Sequence, residues 1–160
     1  MHEEEYYEYA GFGQRFLAII IDVIILGVCG SGVAMLFGGL FIGTAGGSAM
    51  LSDGEIGEGA MLVGVLLYLV FIFSMMVAGW LYFALQESSS KMATLGKRAV
   101  GIVVTDMEGN RISFARATGR YFGKMISGAI MYVGYIMAAF TEKKQALHDM
   151  IANSLVMKDH

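Results

Sequence analysis

The sequence predicts an all-α integral membrane protein with two full transmembrane helices, a short third apolar segment and a small cytoplasmic β-hairpin. Hydrophobic residues make up 56% of the 160 residues and charged residues only 16%, with a mean hydropathy of +0.62, a balance that soluble domains rarely show. The apolar residues also come in blocks, and the two longest, 16–42 and 59–85, exceed the ~20 residues that cross a hydrocarbon core of ~30 Å. We therefore expect a single membrane domain over residues 1–160.

The first apolar block follows an acidic leader, residues 1–14, which begins MHEEEYYEY. A secretory signal peptide has a basic leader and an apolar run about half as long as this one. We therefore predict that the first block is a membrane span and that the leader is retained in the protein.

The distribution of basic residues predicts the orientation of the two spans. No lysine or arginine lies between Arg15 and Lys91, so the connection 43–58 carries only acidic charges, whereas the segment 86–124 is rich in basic residues. Because basic residues favour the cytoplasmic side, the connection 43–58 is predicted to be an external loop. Both termini and the segment 86–124 are predicted to be cytoplasmic.

The third apolar segment, residues 125–140, is short for a membrane span. Its 16 residues would reach about 24 Å as a helix. A re-entrant helical hairpin, with bends at Gly128 and Gly134, would keep the basic tail 141–160 in the cytoplasm. A conventional third span would place that tail outside, against the charge rule. Both alternatives remain open from the sequence.

The segment after the second span contains a predicted β-hairpin, residues 101–114. Alternating apolar residues, Ile102 with Val104 and Ile112 with Phe114, flank the polar sequence TDMEGN. This pattern is typical of two short strands joined by a turn. Two strands alone are marginal in water, so we expect the hairpin to lie against the membrane-facing helices.

Several basic side chains of the cytoplasmic segment are predicted to contact lipid headgroups. The stretch KMATLGKRAVG reads as an amphipathic interfacial segment, and the stretch RATGRYFGK carries further basic residues just before the third apolar segment. The predicted headgroup contacts are Lys97, Arg98, Arg116, Arg120 and Lys124.

The first span contains the polar residue that most needs an explanation, Asp22. A carboxylate within the hydrocarbon core costs about 2.5 kcal/mol or more unless it faces protein, water or a cation. Arg15 lies seven residues earlier on the same helical face, about 10.5 Å away along the axis, which is too far for a direct pair. Neither predicted span holds another charged residue. The partner of Asp22 is therefore expected from the cytoplasmic segments, a bound ion or another subunit.

Arg15, Asp22 and the tail LHDMIANSLV with Asp149 together resemble the three signature residues of the RDD family of small bacterial membrane proteins. The middle stretch TLGKRAVGIVVTDMEGNRISFARATGRY is also similar to that family, and the resemblance covers about residues 11–157. One departure is the pair Asn153 and Ser154, where the family usually has glycine and threonine. The resemblance implies a multipass protein of the bacterial cytoplasmic membrane, with transport the role usually attributed to its members.

Three ionisable residues, Arg15, Asp22 and Asp149, are predicted to form a charge set near the inner leaflet. We expect Asp149 to accept a hydrogen bond from Arg15, which leaves Asp22 deeper and available, with His148 as a supporting residue. In a transporter or ion-coupling protein, Asp22 would exchange a proton or a monovalent cation. Two or three spans enclose no path alone, so this hypothesis predicts a homo-oligomer.

The alternative hypothesis is a non-catalytic membrane scaffold or accessory subunit, in which the same charge set fixes the register of the helices. An enzyme is disfavoured because the sequence has no HExxH or GxSxG motif and no paired aspartates on facing spans. We predict no metal and no cofactor, and we expect a lipid bilayer rather than nucleic acid as the partner.

Overall fold

A computed structural model of the chain describes residues 8–51, 57–129 and 137–159. The chain divides into two compact units. One unit comprises Met1–Val23 together with Trp80–His160, and the other comprises Ile24–Gly79. The two units are described separately below.

Two long helices account for the two predicted spans. Helix α1 covers Phe12–Leu51 and helix α2 covers Glu58–Glu87. Both are apolar on all sides and exceed the ~20 residues needed to cross a bilayer. Helix α1 continues well past residue 42, so the predicted external loop is helical in its first part. The stretch 43–51 contains no proline and no charged side chain, so nothing in it ends the helix.

The unit Ile24–Gly79 consists of the facing parts of α1 and α2. The rings of Phe37 and Phe71 lie 5.5 Å apart. A Cβ added at Gly64 would lie 2.1 Å from the ring of Phe41, so only a glycine admits this ring. Many large apolar side chains on the outside of the unit are exposed, which is the surface expected of helices that face lipid.

The other unit surrounds a small antiparallel sheet. Within the described residues, this unit also contains α3 (Leu95–Ala99), β1 (Ile102–Asp106), α4 (Phe114–Ala129), a 3₁₀ turn (Met137–Ala139), α5 (Leu147–Ile151) and β2 (Ser154–Lys158). Strand β1 pairs with β2, with Ile102 opposite Lys158 and Asp106 opposite Ser154. The apolar core of this unit contains Ala10, Ala18, Ala84, Ile102, Val104, Ile112, Ala117 and Val156.

The first strand of the predicted β-hairpin is present, but its predicted pairing is wrong. Its first strand is β1, but β1 pairs with the C-terminal segment instead of the adjacent residues 112–114. The intervening turn is present, because Asp106 Oδ1 accepts from the N–H groups of Glu108 and Asn110. The returning chain forms only one bridge, at Arg111. Ser113 then accepts the N–H of Arg116, which caps the start of α4 and leaves no residues for a second strand.

The third apolar segment begins inside a longer helix. Residues 125–129 are the end of α4, which starts at Phe114. Helix α4 is amphipathic, since Phe122, Met125 and Ile126 are exposed while Arg120 and Ser127 are buried. Most of the remaining segment, 130–136, lies outside the described residues, and with it lies the choice between a re-entrant hairpin and a third span.

Candidate functional site

Arg15 and Asp149 meet directly, as the sequence analysis expected. Arg15 stands in the first turn of α1, and its Nη1 donates to Asp149 Oδ2. The same guanidinium donates to two carbonyl oxygens, that of Ala10 at 3.2 Å and that of Lys144 at 2.7 Å. The Arg15 side chain therefore ties the start of α1 to the segment that leads into α5.

Asp149 has a second cationic partner that the sequence analysis assigned elsewhere. Arg120 Nη1 lies 2.7 Å from Asp149 Oδ1, and the N–H of Ala146 donates to Oδ2 at 3.1 Å. Burial alone would raise the pKa of Asp149, but the guanidinium groups of Arg120 and Arg15 hold it well below its usual range. Asp149 is therefore an ionised carboxylate whose Oδ2 accepts hydrogen bonds from Arg15 and Ala146 and whose Oδ1 is compensated by the charge of Arg120.

Glu87, the last residue of α2, is a fully buried acid surrounded by three cations. Lys97 Nζ donates to it at 2.6 Å, Arg120 Nε at 3.0 Å and Lys124 Nζ at 3.1 Å. Arg120 thus bridges two carboxylates, and its pKa rises because Asp149 and Glu87 outweigh the effect of burial. Burial lowers the pKa of Lys97 to about 7, although Glu87 opposes the shift.

These contacts correct the predicted headgroup residues. Lys97 and Arg120 are buried, and Lys124 is half-buried against Glu87 and lies over the ring of Phe83 at 4.4 Å. Glu87 is buried, and a buried carboxylate is costly without cationic partners. These basic side chains therefore pair with Glu87 instead of reaching the lipid headgroups. The other two predicted contacts, Arg98 and Arg116, are exposed, and their role at headgroups stays a prediction.

Asp22 occupies a separate site with uncharged donors. It is 1% exposed and accepts from the hydroxyl of Tyr82 at 2.7 Å, the hydroxyl of Thr94 at 2.6 Å and the N–H of Gly96 at 2.8 Å. Among the residues that the structure describes, no ion pair includes Asp22. The expected partner from the cytoplasmic segment is present, but it consists of neutral hydrogen-bond donors instead of a charge.

Gly96 makes this site possible by its lack of a side chain. A Cβ at this position would lie 2.2 Å from the carbonyl oxygen of Ala18 and 2.8 Å from Cγ of Asp22. Thr94, which caps the short helix α3, accepts the N–H of Lys97 at 3.3 Å and donates to Asp22. The TLGKR stretch therefore packs α3 directly against α1.

Comparison with known proteins identifies the family of this chain. The model of the RDD family matches residues 9–153. The chain belongs to the RDD family. It is 37% identical over 150 residues to a Bacillus subtilis (strain 168) protein described as "Uncharacterized protein YxaI", covering 92% of this chain and 96% of that protein. It is 28% identical over 158 residues to the "Uncharacterized membrane protein YteJ" of the same organism, covering 94% of this chain and 82% of that protein. No solved structure matches it.

This RDD protein carries the Asn153–Ser154 departure without losing the local geometry. Asn153 has a φ of 46°, in the left-handed region that favours glycine and that asparagine tolerates best among the other residues. The hydroxyl of Ser154 accepts from Arg120 and donates to the carbonyl oxygen of Asp149. Threonine would supply the same hydroxyl.

His148, the predicted supporting residue, is buried beside the RDD charge set. Its Nε2 lies 3.4 Å from Asp149 Oδ1. A Cβ added at Gly123 of α4 would lie 3.0 Å from the Cβ of His148, so α4 and α5 approach closely at this point. Burial lowers the pKa of His148 to about 3, against the opposing effect of Asp149. The imidazole is therefore neutral at physiological pH.

A cavity of about 380 Å³ opens beside both carboxylate sites. Its polar wall contains Arg15, Asp22, Lys97, Arg120, Lys124 and His148. Its apolar wall contains Phe12, Phe16, Ile19, Phe83, Ala138, Ala146 and Val156. The cavity lies within one unit. Arg15 and Asp22 line it, whereas Asp149 does not line it and contacts Arg15 and Arg120 from behind.

Sequence reasoning missed four residues of these sites, namely Tyr82, Glu87, Thr94 and Gly96. Glu87 offered a signal, because an acid placed at the end of an apolar span needs a cation and the next 40 residues hold several. The other three offered none, since tyrosine, threonine and glycine are frequent in membrane segments for other reasons.

Proposed function

We propose that this RDD membrane protein is a non-catalytic scaffold or accessory subunit in which the charge set acts as a structural lock. The observation that supports the proposal is the full hydrogen bonding of Asp22. Three fixed donors from α2, from the N-cap of α3 and from α3 itself occupy its two oxygens. A residue that exchanges an ion must repeatedly give up such donors, whereas a residue that holds helices together keeps them.

The lock connects the five α-helices that the structure describes in its unit. Arg15 and Asp22 belong to α1, Tyr82 and Glu87 to α2, and the cluster around Arg120 adds α3, α4 and α5. Removing one partner from a buried charge pair typically costs ~3–5 kcal/mol, because the other charge loses its compensation. The network therefore favours one arrangement of these elements over all others.

Transport or ion coupling is a second candidate, and one specific observation favours it. Arg15 and Asp22 both line the 380 Å³ cavity, which offers a space where a proton or a monovalent cation could reach the carboxylate. This candidate requires a homo-oligomer that completes a path across the membrane.

Two substitutions at Asp22 separate the candidates. Asp22→Asn keeps an oxygen that accepts from Gly96, so the lock predicts a loss of about 1–2 kcal/mol in unfolding free energy. Asp22→Leu leaves three donors without an acceptor, so the lock predicts a loss of about 3 kcal/mol or more. Transport predicts instead that both variants abolish ion flux equally.

The measurement is unfolding of the purified protein in detergent, together with flux in liposomes under a pH gradient and a Na⁺ gradient. We expect no flux from the wild-type protein and a stability loss larger for leucine than for asparagine. Flux by the wild-type protein that disappears in a well-folded Asp22→Asn variant would overturn the scaffold in favour of transport.

For the membrane orientation we propose that both termini are cytoplasmic, as the distribution of basic residues favours. In a Cys29→Ser background, a membrane-impermeant thiol reagent added outside should label a cysteine at position 52. The same reagent should not label a cysteine at position 159, which is exposed next to β2. Labelling of position 159 from outside would place the tail on the external side and make the third apolar segment a span.

A further inference from the structure

We propose that the 380 Å³ cavity binds an anionic phospholipid, with the phosphate against its basic wall and an acyl chain along its apolar wall. This inference goes beyond the structural lock and does not depend on it. A lock requires only that the charges compensate one another, whereas this cavity is lined by four basic side chains on one wall and by apolar side chains on the other.

The polar wall of the cavity presents more basic than acidic side chains to the space. Four cations line the cavity, Arg15, Lys97, Arg120 and Lys124, with one carboxylate, Asp22. Both oxygens of Asp22 already accept from Tyr82, Thr94 and Gly96. Among the residues that the structure describes, two further carboxylates pair with the four cations.

Those two carboxylates, Glu87 and Asp149, stand behind the wall and do not line the cavity. The space in front of the wall is therefore bordered mainly by basic groups. Burial lowers the pKa of Lys97 to about 7, and the neighbouring cations Lys124 and Arg120 act in the same direction. A phosphate in the cavity would favour the protonated form of Lys97 and accept the charge-assisted hydrogen bonds that lysine and arginine make best.

The apolar wall provides the site for a lipid chain. Phe12, Phe16 and Ile19 lie at helical spacing on one face of α1 and are 43%, 54% and 38% exposed. The cavity therefore reaches the surface along an apolar stripe. Lys124 lies over the ring of Phe83, at the junction of the basic and the apolar walls. The volume lies at the lower end of the range for ligand sites, and suits a headgroup with the first part of a chain.

The test is a titration of the purified full-length protein in a neutral detergent with short-chain phosphatidylglycerol. We expect phosphatidylglycerol to bind about tenfold more tightly than phosphatidylcholine with the same chains. This ratio of affinities corresponds to the free energy of about one charge-assisted hydrogen bond. Equal affinity for the two lipids would overturn the proposal. If inorganic phosphate bound as tightly as phosphatidylglycerol, the chain would contribute nothing and the lipid assignment would fall.

A matched pair of substitutions locates the binding. Ile19 lines the cavity and Ile20 does not, yet they are neighbours with 38% and 39% exposure. Ile19→Trp should fill the space and weaken phosphatidylglycerol binding about tenfold or more, as loss of several apolar contacts does, whereas Ile20→Trp should leave it unchanged. Equal effects of the two substitutions would place the lipid elsewhere and refute the assignment.

A measurement on the wild-type protein keeps the test independent of how these variants fold. Phosphatidylglycerol with a photoactivatable group in its acyl chain should label the peptide that contains Phe12, Phe16 and Ile19. Excess unlabelled phosphatidylglycerol should suppress this labelling, and phosphatidylcholine should not. Labelling confined to other peptides would exclude the cavity as the site.

Discussion

Two buried carboxylate sites in the same unit are stabilised in different ways. Asp22 accepts from three neutral donors, Tyr82, Thr94 and Gly96. Glu87 and Asp149 instead share the cations Arg15, Lys97, Arg120 and Lys124. The first site is a local arrangement of three helices and one N-cap, whereas the second is a network in which each charge depends on several others.

This difference indicates which substitutions each site tolerates. Neutral donors compensate a carboxylate without adding charge, so an uncharged isostere can take the place of Asp22 at modest cost. In the charged network, loss of one cation leaves an uncompensated anion in a desolvated place, and the cost is larger. The predictions below test this contrast in order of expected effect.

The largest effect is expected at Arg120, which joins the two halves of the charged network. Arg120→Met should lower the unfolding free energy by about 3–5 kcal/mol, because both Glu87 and Asp149 lose a buried partner. Denaturant or thermal unfolding of the purified protein measures the loss. Arg116→Met, one turn earlier on α4, is the matched control. Its side chain is 48% exposed and lies 3.8 Å from Asp106, so its loss should stay below about 1 kcal/mol. Equal losses in the two variants would contradict the network.

An intermediate effect is expected at Gly96, which belongs to the neutral site. Gly96→Ala would place a Cβ against the carbonyl oxygen of Ala18 and against Asp22. Helix α3 must then move away from α1, at a cost of about 1–3 kcal/mol. The control is Gly119→Ala in α4, where no atom lies within 4 Å of the added Cβ. That change should be neutral or stabilising by up to about 1 kcal/mol. A Gly96→Ala variant as stable as the wild type would show that α3 need not pack closely on α1.

Some features of this protein could be predicted from local sequence alone. The two long helices follow from the lengths of the apolar blocks, and β1 follows from its apolar alternation. The contact between Arg15 and Asp149, which lie 134 positions apart, was expected only because the sequence resembles a known family. Without the resemblance, a basic residue at the mouth of a span reads as an ordinary membrane anchor.

Other features depend on tertiary placement that local patterns do not encode. Strand β1 had an adjacent apolar stretch as a candidate partner, but the cap at Ser113 starts a helix there and β2 comes from the end of the chain. The basic residues Lys97 and Arg120 read as interfacial because their partner, Glu87, lies just past the end of the predicted span. Neutral donors such as Tyr82 and Thr94 carry no charge pattern, so only the packing of α2 and α3 against α1 identifies them.

The smallest and most gradual effect is expected from pH, and it belongs to the charged network. Burial lowers the pKa of His148 to about 3, whereas an unfolded histidine titrates near 6.5. Between these values the unfolded chain binds a proton that the folded chain does not. The contribution of this ring should therefore be fully present above pH 6.5 and fall as the pH decreases, by at most about 1.4 kcal/mol per pH unit. The lowered pKa of Asp149 adds a further loss only below its unfolded value.

Unfolding of the wild-type protein and of His148→Gln is compared between about pH 7 and pH 5.5, and the difference between the two isolates the contribution of His148, since the other titrating groups, such as Lys97, are common to both proteins. His148→Gln should flatten the pH dependence in this window. Replacing His2 and His160 with glutamine leaves His148 as the only histidine and should preserve the dependence. The charged groups around the imidazole are Asp149, Arg120, Lys124 and Glu87, and they are the same in both proteins, so the difference in slope reports the desolvation of one ring. If the slope survived in His148→Gln, the acid sensitivity would come from carboxylates elsewhere, and the contrast between the two sites would not extend to pH.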